Sequence, residues 1–140
     1  MGIDYGDVRI GVSMSDAASI LASPLATIVS SDALAELSSI VQEYSPIVIY
    51  IGLPLHLSGT ESESSKKARE LAIALRETIE PGISVRMLDE RLSTKSAMGD
   101  LARAGQQFSK ETIDQLAATA ILEFAMNIER SSGSFAGHEI

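Results

Sequence analysis

The sequence contains no cysteine and no tryptophan. Without cysteine there is no disulfide framework and no zinc ribbon, and a reducing compartment suits the chain. Aromatic residues make up only 4%, so aliphatic side chains must supply the core. No apolar run approaches the roughly eighteen residues of a membrane helix. The opening Met1-Gly2-Ile3-Asp4 has neither the basic region nor the apolar stretch of a signal peptide. These absences lead us to expect a soluble, cytoplasmic protein with no membrane partner. Positive charge is also scarce: 11 Lys and Arg stand against 19 Asp and Glu, a net charge of −8. Proteins that hold nucleic acid gain affinity by neutralising phosphates, so any basic surface here must be local.

What is present is an ordinary globular composition, 45% hydrophobic and 21% charged over 140 residues, enough for one domain. We assign it to residues 1–130, with residues 131–140 as a polar, Gly/Ser-rich tail expected to be disordered. The first thirty residues read as three antiparallel strands. Arg9 to Met14 alternates with period two, and Gly6-Asp7 before it is a turn dipeptide. The period then changes. After Ser31-Asp32, apolar residues at Leu34, Leu37, Ile40, Val41 and Tyr44 keep helical spacing, and Pro46 ends the helix. Ile47 to Ile51 is the β-branched run of a strand buried on both faces. Thr60-x-x-Glu63 has the form of a capping box, ahead of a stripe at Ala68, Leu71, Ala72, Leu75 and Ile79. Pro81-Gly82 closes that helix, and Ile83 to Leu88 is a further strand. A short helix is expected from about Thr94 to Ala104. A long one should run from about Lys110 to Arg130, with Ile113, Leu116, Ala117, Ala120, Ile121, Phe124 and Ile128 inside. The order β-β-β-α-β-α-β-α-α predicts an α/β fold of RNase H-like architecture: a five-stranded mixed sheet with helices on both faces.

Three acids stand out by position. Asp4 ends the first strand, where a buried carboxylate is costly unless paired or holding a cation. It could otherwise be a turn aspartate or a partner of Arg9. Asp89 and Glu90 end the last strand and point to opposite faces, so only one can share a site with Asp4. Asp114 lies on the helix face of Ala117, Ala118, Ile121 and Ala125, beyond the first turn where the helix dipole would favour an acid. Each has a bland alternative: a solvated charge for Glu90, a local partner for Asp114. Together they can converge. Converging carboxylates repel and require a counter-charge, which a hard cation, Mg²⁺ or Mn²⁺, supplies to oxygen ligands. Removing one charge should then leave the cation-free protein as stable or more so.

The motifs carry a resemblance. Gly2-Ile3-Asp4-Tyr5-Gly6, Arg9-Ile10-Gly11-Val12 and Ser15-Asp16 resemble the opening of the YqgF/RuvX family. Gly52-Leu53-Pro54 with Ser58-Gly59-Thr60 is similar to its middle motif. Asp89-Glu90-Arg91-Leu92-Ser93-Thr94 and Ile113-Asp114-Gln115-Leu116-Ala117-Ala118 resemble its last two. The motifs occur in the family's order across nearly the whole chain. The resemblance implies an RNase H-like nuclease with a catalytic and metal site of Asp4, Glu90 and Asp114. It also implies one of two substrates, the 5′ end of pre-16S rRNA within ribosomal precursor particles or a four-way DNA junction.

Arg9 and Arg91 are candidates for phosphate contacts or for partners of the acids. Lys66 and Lys67 open a helix, where amides already favour anions. With Lys95 they complete the expected substrate-binding set. Their plain alternative is a solvated face of ion pairs. His56, in the loop after Gly52-Leu53-Pro54, is an idle loop histidine unless a substrate reaches it. The partner is expected to be structured RNA or branched DNA. One small acidic domain lacks the broad basic platform that a junction invites, and Lys110 is the one lysine in Gln106–Glu111. RNA processing as a monomer is therefore preferred to junction resolution. A module that binds nucleic acid without cutting it is the further alternative. A sugar-kinase-like ATP site needs two such domains around a cleft, which one domain cannot form.

Overall fold

A computed structural model describes residues 1–92 and 107–140. The expected helix near Thr94–Ala104, and Lys95 with it, lie outside the described residues. A mixed sheet forms from β1 (Gly2–Asp4), β2 (Arg9–Ser15), β3 (Ala22–Val29), β4 (Val48–Leu53), β5 (Ser84–Asp89) and β6 (His138–Glu139), in the order β3-β2-β1-β4-β5-β6. The hairpins β1–β2 and β2–β3 are antiparallel, whereas β1–β4 and β4–β5 are parallel. The α-helices among the described residues are α1 (Ala33–Tyr44), α2 (Glu63–Thr78) and α3 (Lys110–Ser132).

Alternation along the strands sorts the two faces. Ile3, Ile10, Val12, Ile49, Ile51, Val85 and Met87 pack with Leu37 and Val41 of α1 and Ala68, Ala72 and Leu75 of α2. Tyr50 and Leu88 face the other way, onto Ile121, Leu122, Ala125 and Met126 of α3. β4 is buried at every position, as its β-branched sequence requires. Burying each such aliphatic side chain stabilises the fold by about 1.5–3 kcal/mol. The expected mixed sheet with helices on both faces is thus present.

Several boundaries move, for local reasons. The third strand starts at Ala22, because the amides of Ile20 and Leu21 are turned inward to Asp16 Oδ1 at 2.7 and 3.0 Å. Those amides hold the Asp16 carboxyl below its usual range. The capping box sits at Ser62 and Ser65, not at Thr60 and Glu63, since the bridge Leu55↔Glu61 keeps that segment extended. The buried stripe of α3 is Ala118, Thr119, Ile121, Leu122, Ala125 and Met126. Ile113, expected inside, is exposed.

The sheet has six strands where five were expected, and the sixth comes from the tail read as disordered. The half-buried Arg86 and the buried Tyr50, both distant in sequence, hold it. Arg86 donates from Nε to the Ala136 carbonyl at 2.6 Å and from Nη2 to that of Gly137 at 2.9 Å. The Tyr50 hydroxyl accepts from the Ala136 amide at 3.2 Å and donates to Glu129. Burial pushes the Tyr50 hydroxyl far above its usual pKa, with the Glu129 bond adding to the shift. Arg86→Ala should therefore release the tail before the rest of the sheet. Hydrogen bonds from charged groups are worth about 1.5–3 kcal/mol each. Protection of the Ile140 amide, which donates to the Val85 carbonyl, should fall at least about tenfold in hydrogen exchange. Unchanged protection would show that the tail is held otherwise.

Candidate active site

β1 ends at Asp4, β4 at Leu53 and β5 at Asp89. All three parallel strands thus deliver their last residues to the same edge, where sites form in open α/β sheets. Asp4 pairs with Gly11 of β2. On its other side Ile3 pairs with Ile51, so the next step along β4 sets Gly52 beside Asp4. Ile3 is buried against α1 and α2, and a strand alternates, so Asp4 faces α3. So do both glycines. A Cβ on Gly11 would lie 1.8 Å from the Asp114 carbonyl oxygen, and one on Gly52 would lie 2.3 Å from Oε1 of Glu90. Asp4 therefore stands between two strand positions stripped of side chains. One is covered by Asp114 and the other by Glu90. The row sets the Asp114 backbone on one side of Asp4 and the Glu90 carboxylate on the other.

Each acid is positioned by a different local cause. Glu90 follows the last residue of β5 and opens a 3₁₀ turn, Glu90–Leu92. It is 6% exposed. Asp89 points elsewhere: its carboxylate accepts from Nε of Arg91 at 3.0 Å and from Nη2 at 2.6 Å. The Arg91 guanidinium holds the Asp89 carboxyl well below the usual range. The choice between the two neighbouring acids thus resolves as alternation predicts.

Asp114 is placed by α3. Ser109 caps that helix, its Oγ accepting from the Thr112 amide at 3.2 Å. The sheet then pins its register. Ser13 Oγ, fully buried, donates to the Ala118 carbonyl at 2.8 Å, and Thr27 Oγ1 donates to that of Glu111 at 2.9 Å. Gln115 Nε2 donates to the same Thr27 hydroxyl at 3.1 Å. A Cβ on Gly2 would lie 2.6 Å from the Ala118 carbonyl oxygen, so Gly2 and Gly11 together let the helix settle on the sheet. Asp114 itself is half-buried, and its Oδ2 accepts from Nε of Arg9 at 2.7 Å. Arg9 and Gly11 are two apart on β2 and share the α3 face. Arg9 thus sits one step further along the strand, next to the helix.

The other described basic candidates, Lys66, Lys67 and Arg91, have acids of their own. Lys66 pairs with Glu63 at 2.9 Å and Lys67 with Asp7 at 2.8 Å, both exposed. Lys67 joins the start of α2 to the β1–β2 turn, and the pairing lowers the pKa of Asp7 and raises that of Lys67. Such pairs contribute little to stability. Arg91 pairs with Asp89, and its Nη1 lies 3.1 Å from where a Gly59 Cβ would be. It therefore underlies the His56–Thr60 loop, in which the Gly59 amide donates to the His56 carbonyl at 2.8 Å. His56 is exposed. None of these residues belongs to the row around Asp4.

The row suits a hard cation. Its donors are carboxylates, and the space beside Asp4 is one that a Cβ at either flanking position would fill. As they lie, no three Asp, Glu, His or Cys side chains among the described residues are close enough to hold a metal ion. The Asp114 carboxylate is turned to Arg9 instead. The fit is one of donor type.

Gly11 and Gly52 were not singled out from sequence; Arg9 was, as a partner of the acids, but without Asp114 as the acid it meets. The glycines had a usable signal, since glycine within a strand pattern often marks a close approach. Arg9 and Asp114 are 105 residues apart, and no local pattern pairs them.

Comparison with known proteins gives the chain's family and fold class. The family model RuvX, described as Holliday junction resolvase, matches residues 1–128. A protein of Leifsonia xyli subsp. xyli named "Putative pre-16S rRNA nuclease" is 41% identical over 145 residues, covering 100% of this chain and 92% of its own. One of the same name from Cutibacterium acnes is 42% identical over 129 residues, covering 90% and 80%. Among solved structures, T. thermophilus RuvC in complex with a Holliday junction substrate superposes with a TM-score of 0.67 at 14% identity, over 99% of this chain and 97% of that one. This likeness places the fold in the RNase H-like class. With the family motifs in order along the sequence and the matching fold beneath them, the chain belongs to the RuvX family.

Proposed function

We propose that this protein is a metal-dependent phosphodiester nuclease that processes the 5′ end of pre-16S rRNA in ribosomal precursor particles. The observation that carries the reading is the row Gly11–Asp4–Gly52, with Asp114 over one glycine and Glu90 over the other. Asp4, Glu90 and Asp114 would hold Mg²⁺ or Mn²⁺. Two such ions, when bound, supply Lewis-acid activation of water and stabilise the leaving oxygen. The chain's own residues do the rest. The sheet edge fixes Asp4, the buried turn at Glu90 keeps that carboxylate from bulk water, and the pinned register of α3 sets Asp114 above them. Arg9 and Arg91 stand on the same edge and offer planar donor forks to phosphate oxygens. Lys66, Lys67 and Lys95 would extend that contact along the backbone of the nucleic acid.

Relatives named for pre-16S rRNA support RNA, as does the scarcity of basic residues. The family description and the likeness to RuvC favour a second reading, resolution of four-way junctions. That reaction makes two symmetric cuts and calls for two sites about a two-fold axis. The deciding assay presents a pre-16S rRNA fragment and a four-way DNA junction in parallel, with Mg²⁺ or Mn²⁺, and records mass in dilute solution. We expect a monomer that trims the RNA and leaves the junction intact. A stable dimer that cuts junctions symmetrically and ignores RNA would reverse the assignment. Binding without cleavage of either would reduce the protein to a non-catalytic module.

A further inference from the structure

The contact between Arg9 and Asp114 is more than a surface ion pair. Their side chains are only 28% and 21% exposed, and Arg9 donates through Nε at 2.7 Å. The backbone beneath Asp114 is pinned: Gly11 meets its carbonyl, and Ser13 and Thr27 hold the helix on either side. A change of partner by the Asp114 carboxylate would therefore be made by the side chain on a backbone that is held in place. Among the described residues no three acids are close enough to hold a cation as they lie, and Asp114 is turned to the guanidinium. A half-buried carboxylate needs a counter-charge in either state. The Nε contact leaves the terminal amino groups of Arg9 outside it, and these are the pair that grips phosphate.

The geometry points to Arg9 as a positioning residue that exchanges with the cation: it neutralises Asp114 while the site is empty, and is released to a nucleic-acid phosphate when Asp114 turns to a divalent ion. Binding is then ordered. Arg9 becomes a phosphate ligand only after the cation has taken its place, so the site does not grip substrate before it can act on it. The exchange is a two-state element biased by both ligands, and each must strengthen the other's binding. This inference rests on the reading of Asp4, Glu90 and Asp114 as one metal site.

The test reads metal binding, not cleavage. Titration calorimetry with Mn²⁺ compares the wild type, Arg9→Gln and Asp4→Asn. Removing Arg9 deletes both a competitor and a positive charge beside the cation, so Arg9→Gln should bind Mn²⁺ about tenfold more tightly, the worth of one charge-assisted hydrogen bond. On the wild type, ¹⁵N spectra of the arginine side chains follow Nε of Arg9 as Mg²⁺ is added. Its signal should move with the same dissociation constant that calorimetry gives for Mg²⁺. Equal or weaker binding in Arg9→Gln, or an Nε signal unmoved at saturation, would overturn the exchange. If Arg9→Gln does not fold, the wild-type spectrum alone decides. If the wild type binds no Mn²⁺, or Asp4→Asn binds as well as the wild type, the metal site itself fails, and that outcome is distinct from the others.

Discussion

Asp4→Asn should abolish cleavage and leave the fold intact. The substitution keeps the shape of the side chain and removes a charged cation ligand at the centre of the row. Metal-ion stabilisation of the transition state is worth several kcal/mol, so the rate should fall by about 10³-fold or more. The fold should hold, because the carboxamide keeps the shape of the side chain. Asp114→Asn should lose activity to a similar extent but differ in stability. From sequence alone, removing any of the acids relieves repulsion. The Arg9 contact changes that sign for Asp114, since the carboxamide leaves the half-buried guanidinium without its counter-charge. The melting temperature of the cation-free Asp114→Asn protein should therefore lie below that of the wild type. Thermal melts of the two beside a single-turnover assay check both points. A variant that cut as fast as wild type would remove that acid from the site.

Gly11→Ala should be the most damaging single methyl group. The new Cβ would meet the Asp114 carbonyl oxygen at 1.8 Å and its carbon at 2.3 Å. Both are backbone, so α3 must lift from β2. Overpacking of this kind costs about 1–3 kcal/mol and sometimes more, or roughly 5–10 °C in melting temperature for a domain of this size. Activity should vanish as well, because Asp114 moves with its helix. Gly52→Ala makes the contrast. Its Cβ would meet Oε1 of Glu90 at 2.3 Å and Cδ1 of Ile121 at 2.6 Å, both ends of flexible side chains. Stability should fall less, while displacement of Glu90 should still remove cleavage. Equal melting temperatures for Gly11→Ala and wild type would mean that the helix does not sit on that glycine.

The layout of strands and helices was legible because the period of the apolar residues changes from two to 3.6 at Ser31-Asp32, and because β4 is an unbroken apolar run. Asp114 was legible as an acid on an apolar face, and Glu90 as the strand-end acid of the correct parity. The sixth strand was not. A two-residue strand has no pattern of its own, and its partners Arg86 and Tyr50 lie roughly fifty and eighty-six residues away. The phase of the α3 stripe was misjudged at Ile113, which lies on the side of the helix turned away from Ala118, Ile121, Leu122 and Ala125. The Arg9–Asp114 contact joins the second strand to the last helix and depends on two glycines that let them approach. Such a contact belongs to the packing and has no counterpart in local sequence.

The site's composition can be read most directly by diffraction from crystals soaked in Mn²⁺, using the metal's anomalous signal. An anomalous peak should stand within roughly 2–2.5 Å of carboxylate oxygens from Asp4, Glu90 and Asp114, the range of hard cations on oxygen, with the Asp114 carboxylate rotated away from Arg9. A peak held by other residues, or no peak at a concentration that supports cleavage, would contradict the three-carboxylate site.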